Sequence, residues 1–314
     1  MKRILITGIT GFVGTNLVKY LEVNKEVQIF GYSRDIKTAK SIFNQIDFIH
    51  DLSANVLDRY LIDTVIHLAG IAHDLSGNYK KDDYQQVNYQ WTTEIYNEFL
   101  KSNASSFVFV SSIKAISDHA DQVIDENTIP NPTSDYGISK RSAENYILSN
   151  TKLNKKTFIL RPCMIHGQGN KGNLNQLYKF VKARIPYPLA AFENKRSFLS
   201  IENFCFTIQN ILNDKLSAGE YLVADSSVIS TKDLVKLIGE VIGIRVRFIK
   251  VPKIIISGFA RTGSFLKSPF NSKTLVKLVE NMEVSNKKLL LNLEMELPVS
   301  MEDGLKKTIR SFDE

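Results

Sequence analysis

The sequence predicts an α/β protein: a doubly wound parallel sheet with a smaller lobe formed late in the chain. Three observations carry this. The chain opens with a strand, a glycine-bearing turn and a helix, MKRILITGITGFVGTNLVKYL. Short, almost wholly apolar runs then alternate with segments of helical spacing through the first half. After Arg161 that alternation gives way to polar loops and isolated helices.

RILITG, VQIFGYS, TVIHLAG, SFVFVSS and TFILRP read as buried strands, being short, rich in β-branched and aromatic residues, and closed by Gly, Ser or Pro. TNLVKYLEV, YQQVNYQWTTEIYNEFLK and SKRSAENYILSN carry helical spacing between them. Strands without a polar face need cover on both sides, which means a parallel sheet. Right-handed crossovers then wind the chain over both faces. Further on, HGQGNKGN is a polar loop and LNQLYKFVKARIPYPL a short helix ending at prolines. NKRSFLSIENFCFTIQNIL reads as a strand entering a helix, and GEYLVAD as one more sheet strand. Ser230 with Asp233, and Ser300 with Asp303, have the spacing of a helix-opening cap. KIIISGFARTGSFLK, apolar on one side with three cations, reads as a buried helix of the lobe rather than a membrane-surface segment. The expected division is 1–166 with 197–228 for the sheet domain, and 167–196 with 229–314 for the lobe.

Composition narrows the function classes. The 314 residues, 43% hydrophobic and 23% charged, suit an ordinary globular protein with a sizeable core. The net charge is +7, with lysines and arginines read as spread along the chain among 33 acids, so nucleic acid is not an expected partner. Two distant cysteines, Cys163 and Cys205, and histidines without paired spacing argue against a disulfide framework or a metal site. With no signal-peptide core and no membrane span, the expected location is the cytoplasm.

TGITGFVG places Gly8, Gly11 and Gly14 at a strand-to-helix junction. Glycines there let the turn tighten and let a helix N-terminus approach an anion such as a pyrophosphate. At the end of the second strand stand Ser33 and Arg34, with Asp35 one step later. An arginine there suits a 2′-phosphate, favouring NADP over NAD; the alternative makes Arg34 a surface residue and gives the ribose to Asp35. Asp51 and Leu52, and Leu68, Ala69 and Gly70, end further apolar runs and fall on the ligand edge of an open sheet. Tyr136 and Lys140, in YGISK, share one helix face, where the ammonium is expected to lower the phenol's pKa and fit it for acid–base work. Ser112 ends a buried strand upstream and can bond the same substrate oxygen.

Together these motifs resemble the extended short-chain dehydrogenase/reductase superfamily, in particular its nucleotide-sugar epimerases, dehydratases and reductases. TGITGFVG is similar to the T-G-x-x-G-x-x-G loop, VIHLAG to H-L-A-A, VSSIKA to the Ser-Ser stretch, YGISK to Y-x-x-x-K, and LRPCMIHGQG to L-R-P-x-x-V-Y-G-P-G. The resemblance implies Ser112, Tyr136 and Lys140 as the catalytic trio. It implies Gly8, Thr10, Gly11, Phe12, Val13 and Gly14, with Val110 and Pro162, along the cofactor, and Asn173, Leu174 and Arg196 on the substrate's nucleotide. Ile113 and Lys114 stand where dehydratases carry Asp-Glu, which argues against dehydration. VSSIKA and NKRSFLSIEN look most like a bacterial surface-polysaccharide subgroup. The expected activity is reduction of a UDP-4-keto-6-deoxy-N-acetylhexosamine, the alternatives being a UDP-hexose or UDP-N-acetylhexosamine 4-epimerase and, remotely, a non-catalytic NAD(P)-binding sensor. A homodimer through the helices near Trp91 and Tyr136 is also implied.

Overall fold

The computed structural model describes residues 1–23, 26–71, 79–120, 122–170, 172–252 and 278–313, with Ile254, Ile256, Gly258 and Leu275 between. Most of KIIISGFARTGSFLK lies outside the described residues. Seven strands form one sheet, in the order β3 (Asp47–Phe48), β2 (Val27–Tyr32), β1 (Lys2–Thr7), β4 (Thr64–His67), β5 (Ser106–Val110), β6 (Lys156–Pro162), β9 (Gly219–Val223). Every pairing in it is parallel. The strand order reverses between β1 and β4, which opens a ligand crevice at their carboxyl ends.

Alternate residues of each strand feed opposite faces. Ile4 and Ile6, with Val108 and Val110, join one buried cluster that holds Leu17, Val18 and Leu21 of α1 (Phe12–Leu21) and Phe204, Ile208 and Ile211 of α8 (Ile201–Leu212). Leu5, Phe107 and Phe109 join the other, against Ile95, Tyr96 and Phe99 of α5 (Trp91–Lys101) and Ala143 and Ile147 of α6 (Asp135–Ser149). Apolar residues are thus needed at consecutive positions, as in the runs that mark the strands.

A third cluster builds the smaller lobe. It joins α7 (Asn173–Lys182), α9 (Thr231–Val241) and α11 (Met301–Arg310) through residues such as Tyr178, Leu234 and Leu305. Ser230 and Ser300 accept from the backbone N–H of Asp233 and Asp303 and open α9 and α11. A small sheet lies between the two regions: β7 (Met164–His166) parallel to β8 (Arg196–Ser200), and β10 (Val228–Ile229) antiparallel to it. The helix α10 (Lys287–Leu293) places Leu289 and Leu293 in the first sheet cluster rather than in the lobe.

One expected helix differs. YQQVNYQWTTEIYNEFLK is a composite: a π-helical turn over Gln85–Gln90 separates the short helix α4 (Lys81–Tyr84) from α5. A π turn adds a residue to the coil and rotates the helix beyond it. Here it accompanies a buried Asn88 that reaches out of the helix to other elements.

Candidate active site

The turn after β1 is shaped by close backbone approach. Gly8 has φ +70°, and a Cβ there would come within 2.6 Å of Ala69 N. A Cβ on Gly14 would lie 2.4 Å from the Gly8 carbonyl oxygen. Helix α1 therefore packs directly on the turn, and its first backbone N–H groups emerge at the crevice. Gly11 is the N-cap and supplies no side-chain bond to them. Phe12 and Val13 begin the helix half-buried, while Thr10 is exposed. A cradle of bare amides at a helix N-terminus, cleared of side chains, fits a pyrophosphate.

Around this cradle, Leu68 and Ala69 are half-buried, Gly70 exposed, and Val110 and Pro162 buried. Asp51 is exposed and accepts from the Ser53 hydroxyl at 2.5 Å, which with the neighbouring backbone bonds holds its carboxyl low; Leu52 behind it is buried. Arg34 is exposed and Ser33 half-buried. Asp35 caps α2 (Ile36–Ile42): it accepts from Thr38 N at 3.0 Å and Thr38 Oγ1 at 2.6 Å, which pulls its pKa down.

Across the crevice Ser112 ends the strand segment and accepts from Lys114 N at 3.2 Å. Its side chain also bonds the Tyr136 phenol. Tyr136 and Lys140 sit one turn apart on α6 as their spacing requires. Lys140 Nζ donates to the Val110 carbonyl at 3.0 Å, lies 4.7 Å from the centre of the Phe109 ring, and would be 3.2 Å from a Cβ on Gly70. Gly70 thus admits the ammonium beside the crevice.

The electrostatics differ from the expectation. Burial raises the Tyr136 phenol to about 12; the Ser112 bond opposes this, while Tyr84 and Glu144 add to it. Lys140 is not what sets the phenol in the protein alone. Its own pKa is lowered by burial to about 8, against the pull of Glu144. Desolvation outweighs the pairing that the spacing suggests, because both groups are enclosed before any ligand binds.

Several supporting residues carry no motif of their own. His67 is fully buried and held neutral, its pKa pushed down to about 3 by burial and then by Lys140. Thr92 Oγ1 donates to the Asn88 carbonyl at 2.8 Å, so it accepts from His67 Nε2 at 2.9 Å, and His67 Nδ1 accepts from Thr7 Oγ1 at 2.7 Å. Asn88 binds Ile71 through both amide atoms and donates to Ser139 Oγ at 3.1 Å, whose hydroxyl donates to the Tyr136 carbonyl at 2.8 Å. One buried chain of bonds therefore runs from the end of β1 to the first turn of α6. On the far side Asp118 accepts four bonds from Thr133 and Ser134, the latter being the N-cap of α6. Burial opposes ionisation there, and those bonds outweigh it to keep the carboxyl low. Glu144, fully buried on α6, takes a two-pronged bond from Arg161 of β6 at 2.9 Å and 2.9 Å, and another from Arg141 at 3.0 Å. The pairing of His67 with Thr92 spans two elements and has no spacing that a sequence reader can use; VNYQWTT, polar inside a helix, is the one available signal.

The three residues expected on the substrate's nucleotide meet in the lobe. Asn173, Leu174 and Arg196 line one small cavity of about 20 Å³ together with Phe198, Thr231 and Leu278. Burial pulls the Arg196 guanidinium below its ordinary value, and Glu280, Cys163 and Tyr187 oppose that. Glu280 also lies 3.9 Å from Lys114 Nζ, so its carboxylate stands near cations of both the crevice and the lobe. Among the described residues no cluster of His, Cys, Asp and Glu has the form of a metal site, and no helix is long and apolar enough to cross a membrane.

The chain is 27% identical to a UDP-glucose 4-epimerase of Vibrio cholerae over 320 aligned positions, covering 99% of this chain and 95% of that one. Its fold matches the Bordetella bronchiseptica enzyme WbmG in complex with NAD at a TM-score of 0.76, with 17% identity over 99% of this chain and 94% of that one. It also matches the UDP-glucuronic acid 4-epimerase of Bacillus cereus in complex with UDP-glucuronic acid and NAD at 0.76, with 20% identity and 99% of each chain covered. The model of the NAD dependent epimerase/dehydratase family matches residues 4–223. The chain belongs to the NAD dependent epimerase/dehydratase family.

Proposed function

We propose that the chain reduces the 4-keto group of a UDP-4-keto-6-deoxy-N-acetylhexosamine in bacterial surface-polysaccharide synthesis, with NADPH as reductant. The observation that carries this reading is at the end of β2. The one acid there, Asp35, is committed to the cap of α2, and Arg34 stands exposed beside it. A ribose carrying a 2′-phosphate suits that pair; a bare ribose diol has no carboxylate to hold it.

The glycine turn and the first amides of α1 would hold the cofactor pyrophosphate, with Ser33 and Arg34 at the adenosine ribose. Asp51, Leu52, Leu68, Ala69, Gly70, Val110 and Pro162 would line the rest. A bound nicotinamide supplies the hydride, which no side chain can. The remaining work falls to the trio. Tyr136, held protonated by burial, donates its phenolic proton to the oxygen of the carbonyl as it gains charge, and Ser112 bonds that same oxygen and fixes its place. Lys140 would hold the nicotinamide ribose and, being close to neutrality in pKa, help return a proton to Tyr136. Arg196 and Asn173 would grip the diphosphate end, which aligns the sugar with Tyr136. The two-lobe division of the chain, and a homodimer through the helices of Trp91 and Tyr136, are parts of the same proposal.

A second reading, 4-epimerisation, is favoured by the full-length likeness to the Vibrio cholerae enzyme. The same trio would then take the proton from the C4 hydroxyl and later return it, the C4 hydride passing to a bound nicotinamide and back to the other face of the rotated keto sugar. Consumption of added NADPH by the 4-keto UDP-sugar, with no interconversion of UDP-GlcNAc and UDP-GalNAc, supports the reductase. Interconversion without added reductant, by protein that carries NAD through purification, overturns it in favour of the epimerase.

A further inference from the structure

The even spread of cations expected from the sequence does not hold locally. Between Glu240 and Glu280 there is no aspartate or glutamate, while eight lysines and arginines stand there, enough to account for the whole excess of +7. Three of them, Arg245, Arg247 and Lys250, are described and exposed, and so is Arg184 on the neighbouring segment.

Those two segments run side by side. Tyr187 N donates to the Arg247 carbonyl at 2.8 Å and Ile249 N to the Tyr187 carbonyl at 2.9 Å. Phe248 turns inward, its ring 6.0 Å from that of Tyr187, so Arg247 and Ile249 on either side of it face outward. Three isoleucines on or next to these two segments in sequence are exposed: Ile185 48%, Ile249 47% and Ile254 82%. Nearby Lys182 and Lys236 have acidic partners, Asp313 and Glu240. Among the described residues no acid lies within ion-pairing distance of Arg184, Arg245, Arg247 or Lys250.

A face that joins unneutralised cations to exposed branched aliphatics has one partner that uses both. Anionic headgroups attract the cations, and the boundary of the acyl chains accepts the isoleucines. A nucleic acid would use the cations but offers nothing to Ile249 and Ile254, since its recognition runs through phosphates, base edges and aromatic stacking. We propose that this face, centred on Arg245, Arg247, Ile249, Lys250 and Ile254, docks the protein on an anionic lipid membrane surface. None of these five residues is itself assigned to the active site, although Tyr187, paired with Arg247 and Ile249, also bears on Arg196.

The test is co-sedimentation of the full chain with vesicles of phosphatidylcholine alone and of phosphatidylcholine with about one-third phosphatidylglycerol. Binding is expected only to the anionic vesicles and is expected to fall with added salt. Each cation removed weakens binding about fivefold, so Arg245→Gln with Arg247→Gln and Lys250→Gln lowers it by roughly a hundredfold. Ile249→Ser with Ile254→Ser, which keeps every charge, lowers it about tenfold or more. All five positions are at the surface, and unchanged thermal unfolding confirms that each variant is folded; Arg184→Gln with Lys250→Gln serves if the triple variant is not. The proposal is overturned if binding ignores lipid charge, if the charge variants bind like the parent, or if duplex DNA is bound as tightly as the vesicles with the isoleucine variant unaffected.

Discussion

Lys140→Met isolates the cost of enclosing an ammonium beside the crevice. Burial lowers the Lys140 pKa from 10.5 to about 8, and each unit is worth about 1.4 kcal/mol. At pH 7 the charged lysine therefore costs the fold about 3 kcal/mol. Removing it also deletes the bond to the Val110 carbonyl and the contact with Phe109, a loss of about 2 kcal/mol. At pH 7 the methionine variant is expected to be the more stable by about 1 kcal/mol. That advantage then fades as pH rises. The folded pKa lies below the unfolded one, so between pH 8 and 10.5 the unfolded chain holds a proton that the folded one does not, and wild-type stability rises relative to the variant. At pH 10 most of the penalty has gone and the neutral amine keeps only its bond to the Val110 carbonyl, so the two proteins are expected to be about equally stable. Urea unfolding of both proteins at pH 7 and pH 10 measures this directly. A difference of the same size and sign at both values would refute the buried-ammonium account.

Three further variants probe the same geometry. Tyr136→Phe is expected to fold normally and lose at least about a hundredfold in kcat, read as NADPH oxidation with the keto sugar. Gly14→Ala drives a Cβ to within 2.4 Å of a backbone oxygen, so it is expected to cost about 2 kcal/mol or more and to abolish nucleotide binding, checked by thermal unfolding with and without NADPH. Arg161→Met leaves Glu144 buried with Arg141 as its remaining bonded cation. A loss of about 3–5 kcal/mol in urea unfolding is expected.

The sheet was legible because its strands are buried on both faces and so lack polar interruptions; Ile4 to Ile6 and Phe107 to Phe109 are instances. The caps at Ser230 and Ser300 were legible because a hydroxyl three residues before an acid is a local signal. Short elements were not. β3 has two residues, α2 seven and α3 (Ala54–Arg59) six, too few for a period to emerge. The π turn was hidden because helical and π spacings differ by less than a short window resolves. In the site, spacing located Tyr136 and Lys140 on one face but could not weigh desolvation against attraction, and desolvation wins for both. Nor could it find the relay from Thr7 through His67, Thr92 and Asn88 to Ser139, whose members come from five elements.

The most direct test of the central claim tracks the hydrogen itself. The protein is loaded with nicotinamide cofactor carrying deuterium at C4 and given the 4-keto UDP-sugar for one turnover. The account predicts deuterium at sugar C4 with the wild-type protein and almost none with Tyr136→Phe. Product free of deuterium, or equal transfer by the phenylalanine variant, would contradict it.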